Sequence, residues 1–574
     1  MIKQKNNPIN AYVMPHTGNN IMTQKTILTL ALMASALTAC TGANTDTEVP
    51  AVKAEISTAD LQRRIQKLAD DEFEGRAPGT PGGQAASQYI ADEMKAAGLI
   101  PMGENGTYFQ NLKLTEATAL PDSTMTLSKG DETFLNADQS TNAVFWTKRL
   151  DQTVSVADSD LVFVGYGVVA PEYDWNDYAG LDVKGKTVVM LVNDPGFATK
   201  DEALFKGNAM TYYGRWTYKY EEAARQGAAA ALVIHQTEPA SYGWDVVSGS
   251  WTGAQYDLVR PDRGASRAAL EGWLHINAAT ELFNQAGLDI NAEITKAAMK
   301  GYKPVSMDGV KLNATINQTV NTTTSRNVAG GIKGTKRPDE YVLYMAHWDH
   351  LGRNPNAEGD QIYNGAVDNA TGTAAILEIA ETFAEKGAAE RSTIFVAVTA
   401  EESGLLGSAF YAESPLVPLN KTVAGINIDA MLPVGETKDM KVIGFGASEL
   451  EDRLKDQLDK RGMYLVPDDK PEAGYYYRSD HISLAKKGVP MLYADPGNDH
   501  VTNGLTYGED FAKEYTKERY HKPSDEYDNS WDLSGIKQSS EILYDMGYAI
   551  ADSNDWPNWY EGTEFRALRD NMLK

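Results

Sequence analysis

Cysteine is nearly absent from this chain of 574 residues, since Cys40 is its only representative. A single cysteine excludes a disulfide within the chain and a zinc site built from several of its own thiolates. Long apolar runs are also lacking after residue 40, where no segment reaches the roughly 18 apolar residues that a membrane-spanning helix needs. Any catalytic or metal-binding site formed by this chain therefore depends on polar side chains other than cysteine.

Acidic residues outnumber basic ones, and the formal net charge is −26. A phosphate-binding surface needs a basic excess, so nucleic acid is not an expected partner. The glycine pairs Gly82-Gly83 and Gly330-Gly331 lack the strand, GxGxxG and helix sequence of a dinucleotide site and indicate turns. With 42% hydrophobic and 23% charged residues, the chain has the composition of a globular protein of several domains.

The amino terminus carries a targeting signal. Lys25 precedes an apolar stretch over residues 27–39, and Leu37-Thr38-Ala39-Cys40 resembles the lipobox of bacterial lipoproteins. We predict a signal region at 1–40, with translation starting at Met22, and a polar tether at 41–55. The resemblance implies a lipid on Cys40 and an exported, membrane-anchored protein at the outer membrane or facing the periplasm.

Five side chains of the metal-ligating type follow one another in the second half of the chain: His347, Asp368, Glu402, Asp429 and His521. Two zinc-like ions about 3.5–4 Å apart need imidazoles, terminal carboxylates and one carboxylate that bridges both ions. Glu401 adds a carboxylate beside Glu402 that is free to shuttle protons. This set predicts a two-metal hydrolase.

Three of these positions follow short apolar runs of the buried-strand type. Residues 341–346 precede His347, residues 392–398 precede the Glu401-Glu402 pair, and residues 423–428 precede Asp429. Sites in open α/β sheets form outside the carboxyl ends of the strands. The pattern therefore predicts an α/β fold with the ligands at one sheet edge.

The surroundings of His347 and Asp368 give further expectations. Asp349 lies two residues after His347 in an extended chain, so we predict that its carboxylate accepts a hydrogen bond from the His347 ring. Asp368 lies in a loop ahead of a predicted helix at 373–386. His350, His481 and His500 are interpreted as structural or rim residues outside the metal site.

The motifs around these residues resemble the zinc exopeptidases of family M28, and they read AHWDHLG, NGAVDNATG, AEESGLLGS, NID and YHKPSDE. The resemblance implies two Zn²⁺ ions bridged by Asp368. His347 and Asp429 would complete one site, and Glu402 and His521 the other. It also implies Glu401 as general acid/base, Tyr520 as a donor to the oxyanion, and a cis peptide bond after Asp368, which relatives often have.

Upstream segments extend the resemblance. DEFEGRAPGT at 71–80 and the following helical stretch look like the amino-terminal part of the family's catalytic domain. Runs at 161–167, 185–192 and 223–235 resemble a protease-associated (PA) domain. We therefore predict a catalytic domain at 56–140 and 316–574, interrupted by a β-rich PA domain at 141–315. The expected fold is a mixed, mostly parallel sheet flanked by helices, of the zinc-exopeptidase type.

Three functions are compatible with these features. The first is an aminopeptidase that hydrolyses peptides through a metal-bridging hydroxide, with peptide as its partner. The second is a glutamate-type carboxypeptidase of the same family, which would need arginines around the terminal carboxylate. The third is a non-catalytic receptor or scaffold, whose protein partners the sequence does not identify. The aromatic run 475–477 either lines a peptide cleft or serves packing.

Overall fold

The structure is a computed structural model that describes residues 55–574. The predicted signal region, Cys40 and nearly all of the tether lie outside the described residues. Within 55–574, no helix combines the length and the apolar character that crossing a bilayer requires.

The strands are β1 Ile100–Pro101, β2 Phe109–Ala119, β3 Thr124–Lys129, β4 Glu132–Asn136, β5 Ala143–Trp146, β6 Thr153–Phe163, β7 Val169–Ala170, β8 Trp175–Asn176, β9 Thr187–Leu191, β10 Ala230–His235, β11 Gln255–Leu258, β12 Leu270–His275, β13 Val305–Ile332, β14 Arg337–His347, β15 Gly352–Arg353, β16 Ile362–Tyr363, β17 Arg391–Val398, β18 Thr422–Asn427, β19 Asp439–Val442, β20 Tyr464–Pro467 and β21 Met491–Pro496. The helices are α1 Thr58–Leu68, α2 Pro81–Ala96, α3 Pro195–Thr199, α4 Trp216–Arg225, α5 Thr237–Ala240, α6 Trp244–Trp251, α7 Ile276–Ala286, α8 Ile290–Ala297, α9 Gly372–Lys386, α10 Leu406–Glu413, α11 Leu450–Asp459, α12 His481–Ala485, α13 Leu505–Glu518, α14 Ser534–Ala551 and α15 Arg566–Met572.

The first sheet carries the predicted ligand-bearing strands. Its centre is the parallel set β17, β14, β18 and β21, and β13 and β2 extend it in antiparallel fashion beyond β17. Residues of β17 and β18 are buried along their whole length, as expected for strands covered on both faces. The predicted mixed, mostly parallel sheet is confirmed. The predicted strands at 392–398 and 423–428 and the helix at 373–386 are present within one residue at each end, whereas the strand predicted at 341–346 begins four residues earlier, at Arg337.

Helices cover both faces of this sheet. On one face α1, α2, α9 and α14 contribute to an apolar core that includes Ile65, Ile376, Phe383 and Leu543. On the other face the core includes Tyr411, Leu484 and Trp559. Helix α2 begins after Thr80, whose hydroxyl oxygen accepts the N–H of Gly83 at 3.1 Å, with proline in its first turn.

A second sheet lies in the region predicted as an insertion. Strands β6, β9, β10 and β12 run parallel, β5 adds to β12, and β3 and β4 join through the first half of β13. It has its own apolar core, which includes Phe163, Leu232 and Phe283. Its strands begin at Thr124, ahead of the predicted boundary at 141. Its assignment as a PA domain stays a prediction.

Strand β13 belongs to both sheets. Its residues 305–317 pair with β3 and β6, and its residues 318–332 pair with β2 and β17. Side chains from the second sheet also contact the first part of the fold, since Lys486 Nζ lies 2.6 Å from Oε1 of Glu221. The two sheets are therefore joined by continuous backbone as well as by side chains.

Candidate metal centre

His347 is the last residue of β14 and lies between the ends of two parallel neighbours, β17 and β18. Its Nε2 is 3.1 Å from Oδ1 of Asp429 and 3.2 Å from Oδ1 of Asp368. Its Nδ1–H donates to the backbone carbonyl of Asp349 at 3.1 Å. The ring is fully buried, so its Nε2 is held facing the two carboxylates.

Asp349 does not make the contact that we predicted. Its carboxylate Oδ1 lies 3.9 Å from His347 Nδ1, and the backbone carbonyl accepts the ring N–H instead. The same Oδ1 accepts the backbone N–H of Glu401 at 3.1 Å. The strand ends at His347, so Asp349 does not continue an extended chain, and its carbonyl is closer to the ring than its side chain is. Asp349 therefore fixes the tautomer of His347 through its backbone and positions Glu401 through its carboxylate.

Asp368 lies in an irregular helical turn, Ala366–Thr371, ahead of α9. Its Oδ1 faces His347, and its Oδ2 lies 3.2 Å from Nε2 of His521. The following peptide bond, Asp368-Asn369, is cis. The carboxylate of Asp525 accepts the backbone N–H of Asp368 at 3.1 Å and that of Val367 at 3.0 Å. One carboxylate thus faces both histidines, which is the geometry that a bridging ligand requires.

Two features hold the Asp368 turn against the end of β14. Gly365 has φ +55°, and a Cβ there would lie 2.2 Å from the carbonyl oxygen of Asp368, so only glycine fits without strain. Arg76 is buried and donates to the carbonyls of Trp348 and Gly365 at 2.8 and 2.9 Å. The guanidinium of Arg76 therefore ties the His347 loop to the Asp368 turn.

Glu401 and Glu402 follow the end of β17, and their side chains have different surroundings. Oε2 of Glu402 lies 3.2 Å from Nε2 of His521, and Oε1 lies 2.6 Å from Nδ1 of His350. Burial raises the pKa of Glu401 well above its ordinary value; His347 opposes this effect, and the charges of Glu402 and Asp429 add to it. Glu402 is directed into the cluster of histidines, and Glu401 is the carboxyl group of the pair that makes no salt bridge with them in the described residues.

Asp429 and His521 complete the cluster. Oδ2 of Asp429 accepts the hydroxyl of Ser479 at 2.6 Å, which leaves Oδ1 directed at His347. His521 has φ +56°, and its ring stacks on that of Tyr520 with centroids 3.9 Å apart. Tyr520 is 43% exposed, so its ring is accessible to a ligand in front of the cluster.

The interpretation of His350 as a residue outside the metal site is wrong, because its ring lies within the cluster. The ring is buried beside Glu402, and its centroid is 5.7 Å from that of His521. Neither ring nitrogen has a hydrogen-bond partner of good geometry within residues 55–574. His350 lies one residue beyond Asp349, and the turn after β14 points its ring back towards the carboxylates. His481 and His500 lie away from the cluster, His481 against Tyr476 and Tyr493, and His500 against Tyr507.

The arrangement fits two divalent cations. One ligand atom from each of His347, Asp368 and Asp429 lies within 4.8 Å of the others, and the same holds for His350, Asp368 and Glu402. In the described part of the chain, the salt bridges of these carboxylates are made with histidine and not with lysine or arginine. Buried carboxylates need compensating charge, and a set of imidazoles and carboxylates is suited to zinc.

The histidine pKa values reflect this excess of negative charge. Burial lowers the pKa of His347, but the charges of Asp429 and Glu401 outweigh burial and raise it well above 6.5. Burial also opposes protonation of His521, and Glu402 and Asp368 nevertheless raise its pKa to about 10. The carboxylates thus stabilise positive charge at the histidine ring nitrogens. A metal cation bound at the same place would be stabilised by the same negative potential.

Comparison with known proteins identifies the segment that carries this cluster. Residues 327–546 match the model of peptidase family M28. The range contains Glu401 and every predicted metal ligand, and the prediction of a peptidase domain, and hence of a hydrolase, is confirmed by this match.

Individual relatives cover smaller parts of the chain. Aminopeptidase NAALADL1 of mouse (Mus musculus) is 38% identical over 127 residues, which are 21% of this chain and 16% of that protein. A probable zinc metalloprotease of Pyrenophora teres is 38% identical over 120 residues, 21% of this chain and 24% of that protein. The chain thus spans at most a quarter of the length of these two relatives. Among solved structures, an aminopeptidase from Aneurinibacillus sp. strain AM-1 covers 88% of this chain and 96% of its own, with 19% identity and a TM-score of 0.48.

Sequence reasoning missed several residues that shape the centre. Arg76 and Asp525 lie inside the quoted DEFEGRAPGT and YHKPSDE segments, and Ser479 precedes the Asp480-His481 pair. An arginine within the glycine-containing segment DEFEGRAPGT is the signal that could have pointed to Arg76, because a guanidinium in a turn can reach several backbone carbonyls. Asp525 carried a comparable signal, because an acid four residues after His521 is placed to bind backbone near the ligand.

Proposed function

We propose that this protein is a co-catalytic di-zinc exopeptidase and, more specifically, an aminopeptidase. The observation that carries the proposal is the convergence of His347, Asp368, Glu402, Asp429 and His521, with Asp368 facing both histidines. The family match of residues 327–546 supports the same chemistry. Zinc is the metal that this donor set and the name of the fungal relative favour.

Each residue has a role in this proposal. His347 and Asp429 would hold one ion, Glu402 and His521 the other, and Asp368 would bridge them, with the buried His350 as a further candidate ligand beside Glu402. Two zinc ions, when bound, supply Lewis acidity that polarises the scissile carbonyl and activates water.

The remaining groups move protons and stabilise charge. The Glu401 carboxylate takes a proton from the attacking water and delivers it to the leaving amine. The contact between its backbone N–H and Asp349 holds it at the end of β17 for that purpose. The hydroxyl of Tyr520 donates to the oxygen that becomes negative as the carbonyl is attacked, and its stacking on His521 keeps it near that oxygen.

The aminopeptidase assignment rests on the name of the mouse relative. Export and anchoring through a lipid on Cys40, and the PA character of the second sheet, belong to the same proposal. The alternative within the same family is a glutamate-type carboxypeptidase, and the choice of cleaved peptides below distinguishes the two.

The test combines metal content with cleavage of fluorogenic peptides. We expect two zinc equivalents per chain, with release from peptides that have a free amino terminus and none from amino-blocked peptides. Glu401→Gln should lower kcat by about 10²–10⁴-fold with the zinc content unchanged. Glu385→Gln, an exposed substitution on α9, is the matched control and should behave as wild type.

Three other outcomes would each revise the proposal. Release from amino-blocked peptides would make the protein a carboxypeptidase. Folded protein without bound metal and without activity would favour a receptor or scaffold. Full activity of Glu401→Gln would remove that residue from the mechanism.

A further inference from the structure

Helix α13 ends shortly before His521 and is only weakly embedded in the fold. Of its 14 residues, only Gly508 and Tyr515 are buried. The apolar side chains of Leu505 and Tyr507 are 51% and 41% exposed. Most of the stability of a helix in a folded protein comes from the packing of an apolar face. Helix α13 therefore depends on the contacts of its two buried residues.

Gly508 makes the first of these contacts. A Cβ at this position would lie 2.2 Å from the carbonyl oxygen of Asn498, so the helix backbone passes directly over the loop after β21. Glycine allows this close approach but contributes no side chain to it. Tyr515 is thus the residue whose buried side chain attaches the helix to the rest of the fold.

The hydroxyl of Tyr515 donates a hydrogen bond to Oδ2 of Asp525 at 3.2 Å. Both residues are buried, with 6% of the tyrosine and none of the aspartate exposed. Burial and the charge of Asp525 raise the pKa of Tyr515 above its ordinary value, so the hydroxyl keeps its proton and acts as the donor. A hydrogen bond to a carboxylate is stronger than one between two neutral groups.

The acceptor of this bond is the carboxylate that holds the Asp368 turn. Oδ2 of Asp525 also accepts the backbone N–H of Asp368 at 3.1 Å, and Oδ1 accepts that of Val367 at 3.0 Å. The backbone carbonyl of Asp525 accepts the N–H of Ala366 at 3.0 Å. Asp525 is thus bonded to three successive residues of the turn, and the Tyr515 hydroxyl shares Oδ2 with the N–H of the predicted bridging ligand.

Tyr515 also contacts the segment that carries His521. Its backbone carbonyl accepts the N–H of Tyr520 at 2.9 Å, and the centroids of the two tyrosine rings are 6.1 Å apart. The Tyr520 ring in turn stacks on that of His521. One residue therefore connects helix α13 to Asp525 on one side and to the Tyr520-His521 pair on the other.

We propose that Tyr515 is a positioning residue of the metal centre and that it couples the docking of helix α13 to metal binding. The inference rests on the proposed di-zinc peptidase function and adds the element that controls the geometry of the site. The Tyr515 hydroxyl keeps the Asp525 carboxylate in the orientation that supports the Asp368 backbone. Coupling of this kind is reciprocal, so bound metal stabilises the docked helix as much as the docked helix strengthens metal binding.

The first test measures the zinc affinity of the full chain by titration with a competing chelator. Tyr515→Phe removes one hydrogen bond to a carboxylate that supports a ligand, and zinc affinity should fall about 10-fold. Tyr507→Phe is the matched control, because it removes the hydroxyl of an exposed tyrosine from the same helix, and it should bind zinc as the wild type does. Wild-type zinc affinity of Tyr515→Phe would overturn the proposal.

Amide hydrogen exchange tests the positioning and the coupling separately. In metal-free protein, Tyr515→Phe should speed exchange in peptides that cover residues 366–371, whereas Tyr507→Phe should not. In wild-type protein, zinc should slow exchange across residues 505–518, and Tyr515→Phe should lose most of this protection.

Two results of the exchange experiment would contradict the proposal. One is exchange at 366–371 that Tyr515→Phe leaves unchanged, or raises no more than it raises exchange in the distant strand β10. The other is exchange across 505–518 that does not respond to zinc in the wild type. If Tyr515→Phe does not fold, this wild-type measurement decides alone.

The proposed peptidase function and this inference fail in different ways. Zinc binding that is coupled to helix α13, in a protein that hydrolyses no peptide, would contradict only the peptidase function. Zinc-dependent peptide hydrolysis by a wild-type protein whose zinc affinity is unchanged in Tyr515→Phe would overturn only the role of Tyr515.

Discussion

Arg76 offers a sharp test of how the metal centre is built, because it binds the end of helix α1 and two loops without touching a predicted ligand. Its guanidinium donates to the carbonyls of Leu68, Trp348, Asn364 and Gly365, at 2.6 Å for Leu68, 2.8 Å for Trp348 and 2.9 Å for Gly365. Arg76→Met keeps much of the side-chain volume and removes all of these bonds. The backbone on either side of the centre then loses its common support.

The expected loss of folding stability follows from the hydrogen bonds that the substitution removes. Four bonds from a charged donor contribute roughly 1.5 kcal/mol each at the low end. Burial of the guanidinium offsets part of this sum, as shown by the pKa of Arg76, which burial lowers to about 10 against the raising effect of Asp349. We therefore expect a net loss of about 3–4 kcal/mol. With about 2.1 cal/mol/K of unfolding entropy per residue, and one cooperative transition of the described chain, the melting temperature should fall by about 3 °C.

Calorimetry of metal-free protein measures the stability loss, and titration with a competing chelator measures zinc affinity. Zinc affinity should fall about 10–100-fold, because the loops that carry His347 and Asp368 are no longer tied together. Arg326→Met is the matched control, since the Arg326 side chain also donates to a backbone carbonyl, that of Gln84, but makes no hydrogen bond to the Asp368 turn within the described residues. Unchanged melting and unchanged zinc affinity of Arg76→Met would refute this account of the centre.

Two further substitutions test other parts of the structure. Gly365→Ala should weaken zinc binding and destabilise the protein by about 1–3 kcal/mol, because a Cβ would meet the carbonyl of Asp368 at 2.2 Å and φ is +55°; wild-type zinc affinity in a chelator titration would contradict this. Burial raises the pKa of Asp257, but the charges of Lys148 and Arg260 outweigh burial and hold that pKa below its ordinary value of 3.8. The ionised carboxylate therefore stabilises the fold above pH 3.8, and this stabilisation is lost as the pH falls below 3.8. Asp257→Asn should therefore lower the melting temperature most at pH 6–8 and less as pH approaches 3, and a constant difference from pH 8 to 3 would exclude this ion-pair explanation.

Much of the metal centre could be predicted because its ligands follow short apolar runs. The runs before His347, Glu401 and Asp429 are too short for helices and too apolar for an exposed edge, so each indicates a buried strand. Parallel strands bring their carboxyl ends to one edge, and the ligands then meet without further information. His521 could be placed only by its resemblance motif, since it follows α13 in a turn.

The residues that support the ligands could not be predicted in the same way. Arg76 contacts Gly365 across 289 positions of sequence, and no local pattern announces such a contact. His350 looked like a rim residue because the direction of the turn after β14 depends on Gly352, whose φ is +76°.

The length of β13 also could not be predicted from the sequence. The predicted boundary between insertion and catalytic domain, at 315/316, falls inside this one strand of 28 residues. Polar residues alternate with apolar ones along most of it, and the run of threonines and asparagines near its middle has the composition of a linker. Pairing with β2 gives that stretch its backbone partners, and this pairing depends on a segment about 200 positions upstream.

Strand β13 has a consequence for how the two sheets could move. Its backbone ladders join the second sheet to the sheet that carries the predicted metal ligands, without an intervening loop. A hinge motion of one sheet against the other would have to break hydrogen bonds of this strand, so the strand resists such a motion.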